Sequence, residues 1–179
     1  MRVLSIDPSL RNTGYAVVES IPKGSVSGPA RGVQQSHQAL TYGVVRNPAS
    51  LPQSRCLVAI RAQIAAVIAE FQPTVCAVEG VIYVQSFETA IILGAARGAS
   101  MIAVAEAGLP IHEYAPKRVK QAVVGRGEAS KEQVAFMIRA LLGLTETPPS
   151  DAADALAIGL THFYTNQTGQ MLGRPQREL

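Results

Sequence analysis

Acidic residues bound the hydrophobic segments of this chain, and their placement limits the folds it can adopt more than any other feature. Asp7 follows the run VLSI, Glu79 follows VCAV, and Asp151 and Asp154 lie at the start of the segment DAADALAIGL. Short apolar runs of this kind indicate buried strands. A carboxylate at the end of a buried strand is costly unless it has a partner, because an unpaired buried charge is strongly destabilised. The sequence therefore predicts that these acids meet one another or a cation.

The spacing of Asp151 and Asp154 places both carboxylates on one face of a helix, because residues three positions apart are neighbours on a helix surface. Several carboxylates in one place repel one another, and a divalent cation relieves that repulsion. Mg²⁺ and Mn²⁺ are the ions that suit oxygen ligands. The pattern therefore predicts a metal-dependent site, and cleavage of phosphodiester bonds is the chemistry we assign to it.

The composition indicates a single globular domain with a modest excess of positive charge. The chain has 179 residues, of which 47% are hydrophobic and 16% charged, enough for one full-sized core. The net charge of +3 and a pI of about 9.1 make nucleic acid a plausible partner without establishing it. The basic residues between Glu79 and Asp151, where the alternative is a solvated surface, include Arg97, Lys117, Arg118, Lys120, Arg126 and Lys131.

No targeting or metal-binding cysteine pattern is visible. Cys56 and Cys76 lie within apolar patterns and read as small core residues. The N-terminal run is broken at Asp7, so it does not resemble a signal peptide. Residues 89–107 come closest to a membrane span, but Arg97 and Glu106 interrupt them. We therefore expect a cytoplasmic protein without a membrane partner.

The first part of the chain predicts three strands. Strands are expected at 2–7, 15–19 and about 39–46, with a polar turn between the first two. Residues 21–38 are rich in Gly, Pro, Ser and Gln, which predicts an exposed loop insertion. Two more strands are expected further along, at 74–79 and 111–114.

Helical periodicity governs the rest of the chain. One helix is expected from about Leu51 to a point before Pro73, and an Ala-rich helix from about 87 to 107. Pro116 suits the first turn of a short helix that ends near residue 124. Ser130 and Gln133 form a predicted capping box at the start of the next helix. A last helix is expected at about 151–165.

This order of elements predicts an α/β fold, with a five-stranded mixed β-sheet and helices on both faces. Asp7 and Glu79 lie on adjacent strands if the first and fourth strands pair. The last helix can then bring Asp151 and Asp154 alongside. We expect one nuclease domain at 1–166 and a flexible tail at 167–179.

Five stretches of the chain resemble the RuvC family of Holliday junction resolvases, within the ribonuclease H-like superfamily. They cover about residues 2–165, and the basic VKQ segment followed downstream by DAADALA is the most specific combination. The stretches are Ile6-Asp7-Pro8-Ser9 with Thr13-Gly14-Tyr15, Ala77-Val78-Glu79, Leu93-Gly94-Ala95-Ala96-Arg97-Gly98, Tyr114-Ala115-Pro116-Lys117-Arg118-Val119-Lys120-Gln121, and Asp151-Ala152-Ala153-Asp154-Ala155-Leu156-Ala157.

The resemblance implies a ribonuclease H-like fold, a homodimer, and paired cleavage of opposed strands in a four-way DNA junction during recombination and repair. A branch-migration motor is a further implied partner. The family's metal ligands fall on Asp7, Glu79, Asp151 and Asp154, where two Mg²⁺ or Mn²⁺ ions are expected. Asp7 is expected to bridge the two ions.

The resemblance also implies DNA contacts. The family's basic residues fall on Lys120 and Lys131, and the adjoining Lys117 and Arg118 extend the basic segment. The family commonly has a base-stacking aromatic residue three positions after the glutamate of the fourth strand. That position is Ile82 here, so either the neighbouring Tyr83 takes the stacking role or the role is altered.

Each of these residues has a simpler explanation when taken alone. Asp7 before a proline suits a turn, and Asp151 suits the first turn of a helix. The lysines can be a solvated helix face, and the Ala-rich helix can be buried within one subunit rather than packed against a twin. It is the joint pattern that favours catalysis.

Three rival functions differ from junction cleavage. The chain could be a ribonuclease H-like nuclease that acts on RNA, or a junction-binding protein without activity. An actin-like ATPase also has phosphate loops after a strand that ends in Asp, but that fold needs two such domains and this chain is too short. Cleavage assays on junction, duplex and RNA separate the first two rivals from a resolvase.

Overall fold

A mixed five-stranded sheet forms the centre of the protein. The computed structural model describes residues 1–21, 36–80, 86–172 and 178–179. The strands lie in the order β3-β2-β1-β4-β5, and the predicted pairing of the first and fourth strands is confirmed as parallel. The strands are β1 (Arg2–Asp7), β2 (Asn12–Ile21), β3 (Ser36–Arg46), β4 (Val75–Glu79) and β5 (Ile111–Tyr114).

Helices cover both faces of this sheet, as the sequence predicted. The helices are α1 (Gln53–Phe71), α2 (Phe87–Glu106), α3 (Pro116–Val124), α4 (Lys131–Leu142) and α5 (Ser150–Leu172). One face of the sheet packs on α3, α4 and α5, and the other on α1 and α2. The alternation along β1 explains this division, because Val3 joins the first cluster whereas Leu4 and Ile6 join the second.

Two strands are longer than their apolar patterns suggested. β2 begins at Asn12 and β3 at Ser36, and the two pair from Asn12↔Arg46 to Ile21↔Ser36. Hairpin pairing carries polar residues into the ladder, since backbone hydrogen bonds do not depend on the side chain. The expected loop at 21–38 is therefore wrong at both ends, and its remainder, 22–35, lies outside the described residues.

The last helix also runs further than expected. α5 continues to Leu172, so residues 167–172 of the predicted flexible tail are helical. After Pro149 the next proline in the chain is Pro175, so no proline ends the helix among the polar residues that follow Asn166. At the end of the chain, Leu179 donates its backbone N–H to the Ile111 carbonyl at 2.9 Å, beside β5.

The start of α4 follows the prediction closely. The Ser130 hydroxyl accepts from the Gln133 backbone N–H, and the Gln133 side chain accepts from the Ser130 N–H. Both bonds of a capping box are thus present. This cap fixes the first turn of α4, and Lys131 is the first residue of that turn.

Candidate active site

Parallel pairing of β1 with β4 brings the first two acids together. Ile6 pairs with Val78, so Asp7 and Glu79 are the next residues on neighbouring strands at the carboxyl edge of the sheet. Asp7 also faces Gly14 across the β1–β2 hairpin. Both carboxylates are partly buried. The site therefore begins where two buried strands end.

The first turn of α5 lies directly on Gly14. A Cβ atom at Gly14 would be 2.0 Å from the Asp151 carbonyl oxygen, which is closer than any real contact. A second close contact lies further along α5, where a Cβ atom at Gly159 would be 2.9 Å from the Ser5 hydroxyl. The buried face of α5 is otherwise mainly alanine near its start, so the helix axis approaches the sheet closely. Asp151 and Asp154 are thereby held over the strand ends.

Short polar contacts order the loop after Asp7. The Thr13 hydroxyl donates to the Ser9 carbonyl and accepts from the Ser9 N–H at 3.2 Å. Arg11 donates to the carbonyls of Pro48 at 2.7 Å and Leu51 at 2.9 Å. These bonds anchor the β1–β2 loop on both sides.

The pKa of Asp7 is raised, in part because the other acids lie close enough to act on it. Burial, and then the charges of Glu79, Asp154 and Asp151, raise this pKa to about 8, while the charge of Lys131 opposes them. Three other carboxylates therefore act on one partly buried group. At neutral pH Asp7 holds a proton in the metal-free protein.

Glu79 is coupled to the same cluster. Burial and the charge of Asp154 raise its pKa, and a hydrogen bond from Asp7 together with the charges of Lys131 and Lys120 lowers it in part. A proton on Asp7 donated to the Glu79 carboxylate accounts for this bond. The two carboxyl groups thus behave as a pair that shares one proton.

Two lysines adjoin the acids. The Lys131 ammonium lies 3.0 Å from the Asp154 carboxylate, and that contact raises the lysine's pKa. Lys120 lies on α3, half-buried, and its charge acts on Glu79. The structure therefore brings together six of the predicted site residues.

The other predicted DNA-binding residues lie further out. Lys117 pairs with Glu128 at 2.9 Å on the surface, and Arg118 donates to the Thr165 hydroxyl at 3.5 Å. An exposed pair of this kind contributes little to stability, so Lys117 can exchange its partner at low cost. Tyr83 and Ile82 lie outside the described residues.

The chemistry of the site fits a divalent cation. Four carboxylates supply hard oxygen donors, and burial together with their mutual repulsion keeps a proton on Asp7. The acids act on one another, but no three acidic, histidine or cysteine side chains of the described residues are placed to hold a metal ion as they stand. Asp154 instead pairs with Lys131, and Asp7 with Glu79. Binding of an ion would therefore replace a proton and an ammonium group.

Gly14 and Arg97 lie within the family motifs, and both make contacts in this region that sequence reasoning missed. Gly14 seats α5, and Arg97 donates to the Glu79 carbonyl at 2.6 Å. The signal for Gly14 is a glycine inside a strand, which often marks a close backbone approach. The signal for Arg97 is a lone basic residue in an Ala-rich, apolar helix.

The sequence matches one family model over most of its length. The model described as "Crossover junction endodeoxyribonuclease RuvC" covers residues 3–162. A protein of that name from Akkermansia muciniphila is 56% identical over 165 residues, which is 92% of either chain. Another, from Chloroflexus aggregans, is 40% identical over 97% of this chain and 99% of its own.

Solved structures give the same result. A structure described as Thermus thermophilus RuvC is 37% identical and aligns over all of both chains with a TM-score of 0.81. A second, described as T. thermophilus RuvC in complex with Holliday junction substrate, aligns over 100% of this chain with a TM-score of 0.82. The predicted ribonuclease H-like fold and family resemblance are confirmed.

Substitution Gly14→Ala tests the seating of α5. The added methyl group would overlap the Asp151 carbonyl, so α5 must shift, and we expect a loss of about 1–3 kcal/mol in the free energy of unfolding. Denaturant titration measures this loss. Asn12→Ala, at an exposed position on the same strand, is the matched control. Equal stability of Gly14→Ala and the parent would contradict the close contact.

Substitution Asp7→Asn tests the charge balance. The pKa of Asp7 is about 8 in the folded protein against 3.8 for the free group, so the folded state holds the extra proton between these values. The contribution of Asp7 to the stability of the metal-free parent should therefore fall as pH rises from about 4 to about 8. Asp7→Asn removes this loss, and we expect it to be more stable than the parent by at least about 1 kcal/mol at pH 8.

Denaturant titrations in EDTA across this pH range measure the effect. Glu70→Gln changes an exposed acid far from the site and should leave the pH profile as it is in the parent. If the difference in stability between the parent and Asp7→Asn did not change between pH 4 and 8, Asp7 would ionise normally.

Proposed function

The chain belongs to the RuvC family of crossover junction endodeoxyribonucleases, and from that premise we propose that it resolves four-way DNA junctions by paired, symmetric, divalent-metal-dependent cleavage during recombination and repair. One observation carries the proposal. Four carboxylates lie where β1 and β4 end and α5 begins, and burial together with the charges of the other three raises the pKa of Asp7 to about 8. A protein that used these acids for stability alone would gain nothing from that repulsion.

The four acids are proposed as ligands of two Mg²⁺ or Mn²⁺ ions. Asp7 lies at the centre of the cluster and is the proposed bridging ligand, with Glu79 and Asp154 on either side and Asp151 at the start of α5. Such ions activate water for attack on phosphorus and stabilise the leaving 3′ oxygen.

The chain's own residues prepare the site for this chemistry. Asp7 would have to release its proton before it could bind a cation, and Lys131 would compete with the cation for the Asp154 Oδ2 that it contacts. A Lys131 displaced from that oxygen would still lie beside the acids, where its charge could meet a phosphate oxygen. Lys120, half-buried on α3 and close enough to act on Glu79, can meet the phosphate from the other helix.

The wider DNA contact is proposed along α3 and the start of α4. Lys120 and Lys131 are assigned to phosphates near the cut, and Lys117 and Arg118 to phosphates further out on the same helix. Phosphate contacts position the substrate without reading its sequence. The assignment of Tyr83 to base stacking rests on its sequence position alone.

A homodimer is proposed through the outer face of α2. Large apolar side chains are exposed there: Phe87 by 91%, Ile91 by 70% and Ile102 by 52%. Phe87 therefore begins α2 without packing inside the subunit. Gly94 and Gly98 lie on the same face with open space around them, so a second helix can approach closely. Two-fold symmetry would match paired cuts in a four-way junction.

The apolar composition of α2 also fits a membrane-spanning helix. In the described part of the chain, α2 is the helix long and apolar enough to cross a membrane by length and composition. A partner helix covers its outer face equally well, and Arg97, on the inner side of the same helix, is held inside the protein. We propose a cytoplasmic location because the substrate is DNA, and a branch-migration motor as partner on the family resemblance.

Cleavage of a labelled, immobile four-way junction tests the function. We expect paired, symmetric nicks with Mg²⁺ or Mn²⁺ and none in EDTA. Asp7→Asn and Glu79→Gln should reduce the rate at least about 100-fold, because electrostatic stabilisation of the transition state is lost. Both variants should still bind the junction in EDTA.

The controls separate the rival functions. Glu70→Gln, an exposed acid on α1, should cleave like the parent. Equal cutting of linear duplex, or of RNA but not DNA, would refute a resolvase. Parent-like cutting by Asp7→Asn would remove the acids from the mechanism.

Substitution Ile91→Asp tests the dimer. A charge on the proposed interface must be desolvated when the helices meet, so we expect the dissociation constant to rise at least about tenfold. Sedimentation equilibrium measures it. Val58→Asp, at a 60% exposed apolar position on α1, should leave the dimer intact. The same constant in Ile91→Asp and the parent would exclude this face.

A further inference from the structure

Arg97 links α2 to the end of β4. Its guanidinium donates from one nitrogen to the Glu79 carbonyl at 2.6 Å and from another to the Glu113 carboxylate. The side chain is 14% exposed although it projects from a helix with an open outer face. Both arms of the guanidinium are thus engaged inside the subunit.

These contacts hold one peptide unit from two sides. The Glu79 carbonyl and the Gly80 N–H belong to the same planar group. The carbonyl accepts from Arg97, and the N–H donates to the Tyr114 carbonyl at 2.8 Å. With both polar ends bonded, the plane after Glu79 cannot rotate freely, and the direction in which the Glu79 side chain leaves the backbone is constrained with it.

Glu113 reaches Arg97 across Gly80. A Cβ atom at Gly80 would lie 2.9 Å from a Glu113 carboxylate oxygen and 3.0 Å from its Cγ. The absence of a side chain at Gly80 therefore leaves room for Glu113 on β5 to hold the guanidinium. The planar fork of arginine suits two partners at once, which an ammonium group does not reproduce.

Arg97 acts on Glu79 through geometry rather than charge. The charged groups with the largest effect on the pKa of Glu79 are Asp154, Lys131 and Lys120, and Arg97 is not among them. Its bond is to the backbone carbonyl of Glu79 and not to the carboxylate. The side chain is only 14% exposed, which leaves its remaining N–H donors little access to a phosphate.

We propose that Arg97, held by Glu113, is a positioning residue that orients Glu79 for metal binding. The proposal rests on the proposed role of Glu79 as a ligand. It also connects two functions of one helix, because the same α2 carries the proposed dimer face on its outer side and this bond on its inner side.

The test compares Arg97→Met, Arg97→Lys and Glu113→Gln in the full chain. Partners that orient metal ligands typically change metal affinity 10–100-fold when removed. For Arg97→Met we expect the Mn²⁺ concentration for half-maximal cleavage to rise at least about tenfold. The rise in thermal midpoint that Mn²⁺ causes without DNA should shrink in parallel. Arg97→Lys should recover part of both effects, and Glu113→Gln should show a smaller loss than Arg97→Met.

Arg61→Met is the matched control. Arg61 makes two bonds to Glu106, at 2.8 and 2.6 Å, on the exposed side of α1 and α2. We expect its metal dependence to equal that of the parent. Should Arg97→Met fail to fold, the lysine variant and Glu113→Gln carry the test.

The outcomes are distinguishable. Parent-like metal dependence in Arg97→Met, with or without a lower thermal midpoint, would overturn the positioning role. So would weaker junction binding with a smaller salt dependence and an unchanged metal midpoint, which is the signature of a phosphate contact. If Glu79→Gln still cleaves, the proposed function fails instead, because Arg97 would then have no ligand to orient.

Discussion

The close approach of α5 to the sheet is the contact on which the site depends. The helix can reach the strand ends because Gly14 has no side chain where the Asp151 carbonyl lies, and because the Ser5 hydroxyl meets Gly159 further along. A Cβ atom at Gly14 would displace the helix, and one at Gly159 would displace the Ser5 hydroxyl. Asp151 and Asp154 would then move away from Asp7, since they share the rigid first turns of the same helix.

This arrangement carries an electrostatic cost that the fold tolerates. Carboxylates at the ends of β1 and β4 are partly buried and repel one another, so Asp7 keeps a proton at neutral pH. Lys131 and the shared proton relieve part of the repulsion. The hydrophobic clusters on the two faces of the sheet stabilise the fold, and this stability offsets the repulsion among the carboxylates. Strain of this kind is typical of catalytic sites, where a later ligand completes the charge balance.

Local patterns predicted most of the fold. β5, α3 and the capping box of α4 follow their sequence signals because proline, glycine and serine act on the residues next to them. The errors lie where tertiary pairing overrides local preference. β2 and β3 are longer than expected because their backbones hydrogen-bond to each other. α5 continues to Leu172, past the polar residues after Asn166 where the helix was expected to end. Phe87 begins its helix as expected but is exposed.

The acids, their order and the family they indicate could be identified from the sequence by itself, because carboxylates at the ends of apolar runs are visible in one dimension. The resemblance then named the ligands, but it could not say how they are held. The tertiary structure decided that Lys131 pairs with Asp154, that Gly14 seats α5, and that Arg97 holds the peptide after Glu79. These contacts join residues from 18 to 137 positions apart along the chain, and no local periodicity encodes a distance that only the packing of helix on sheet creates.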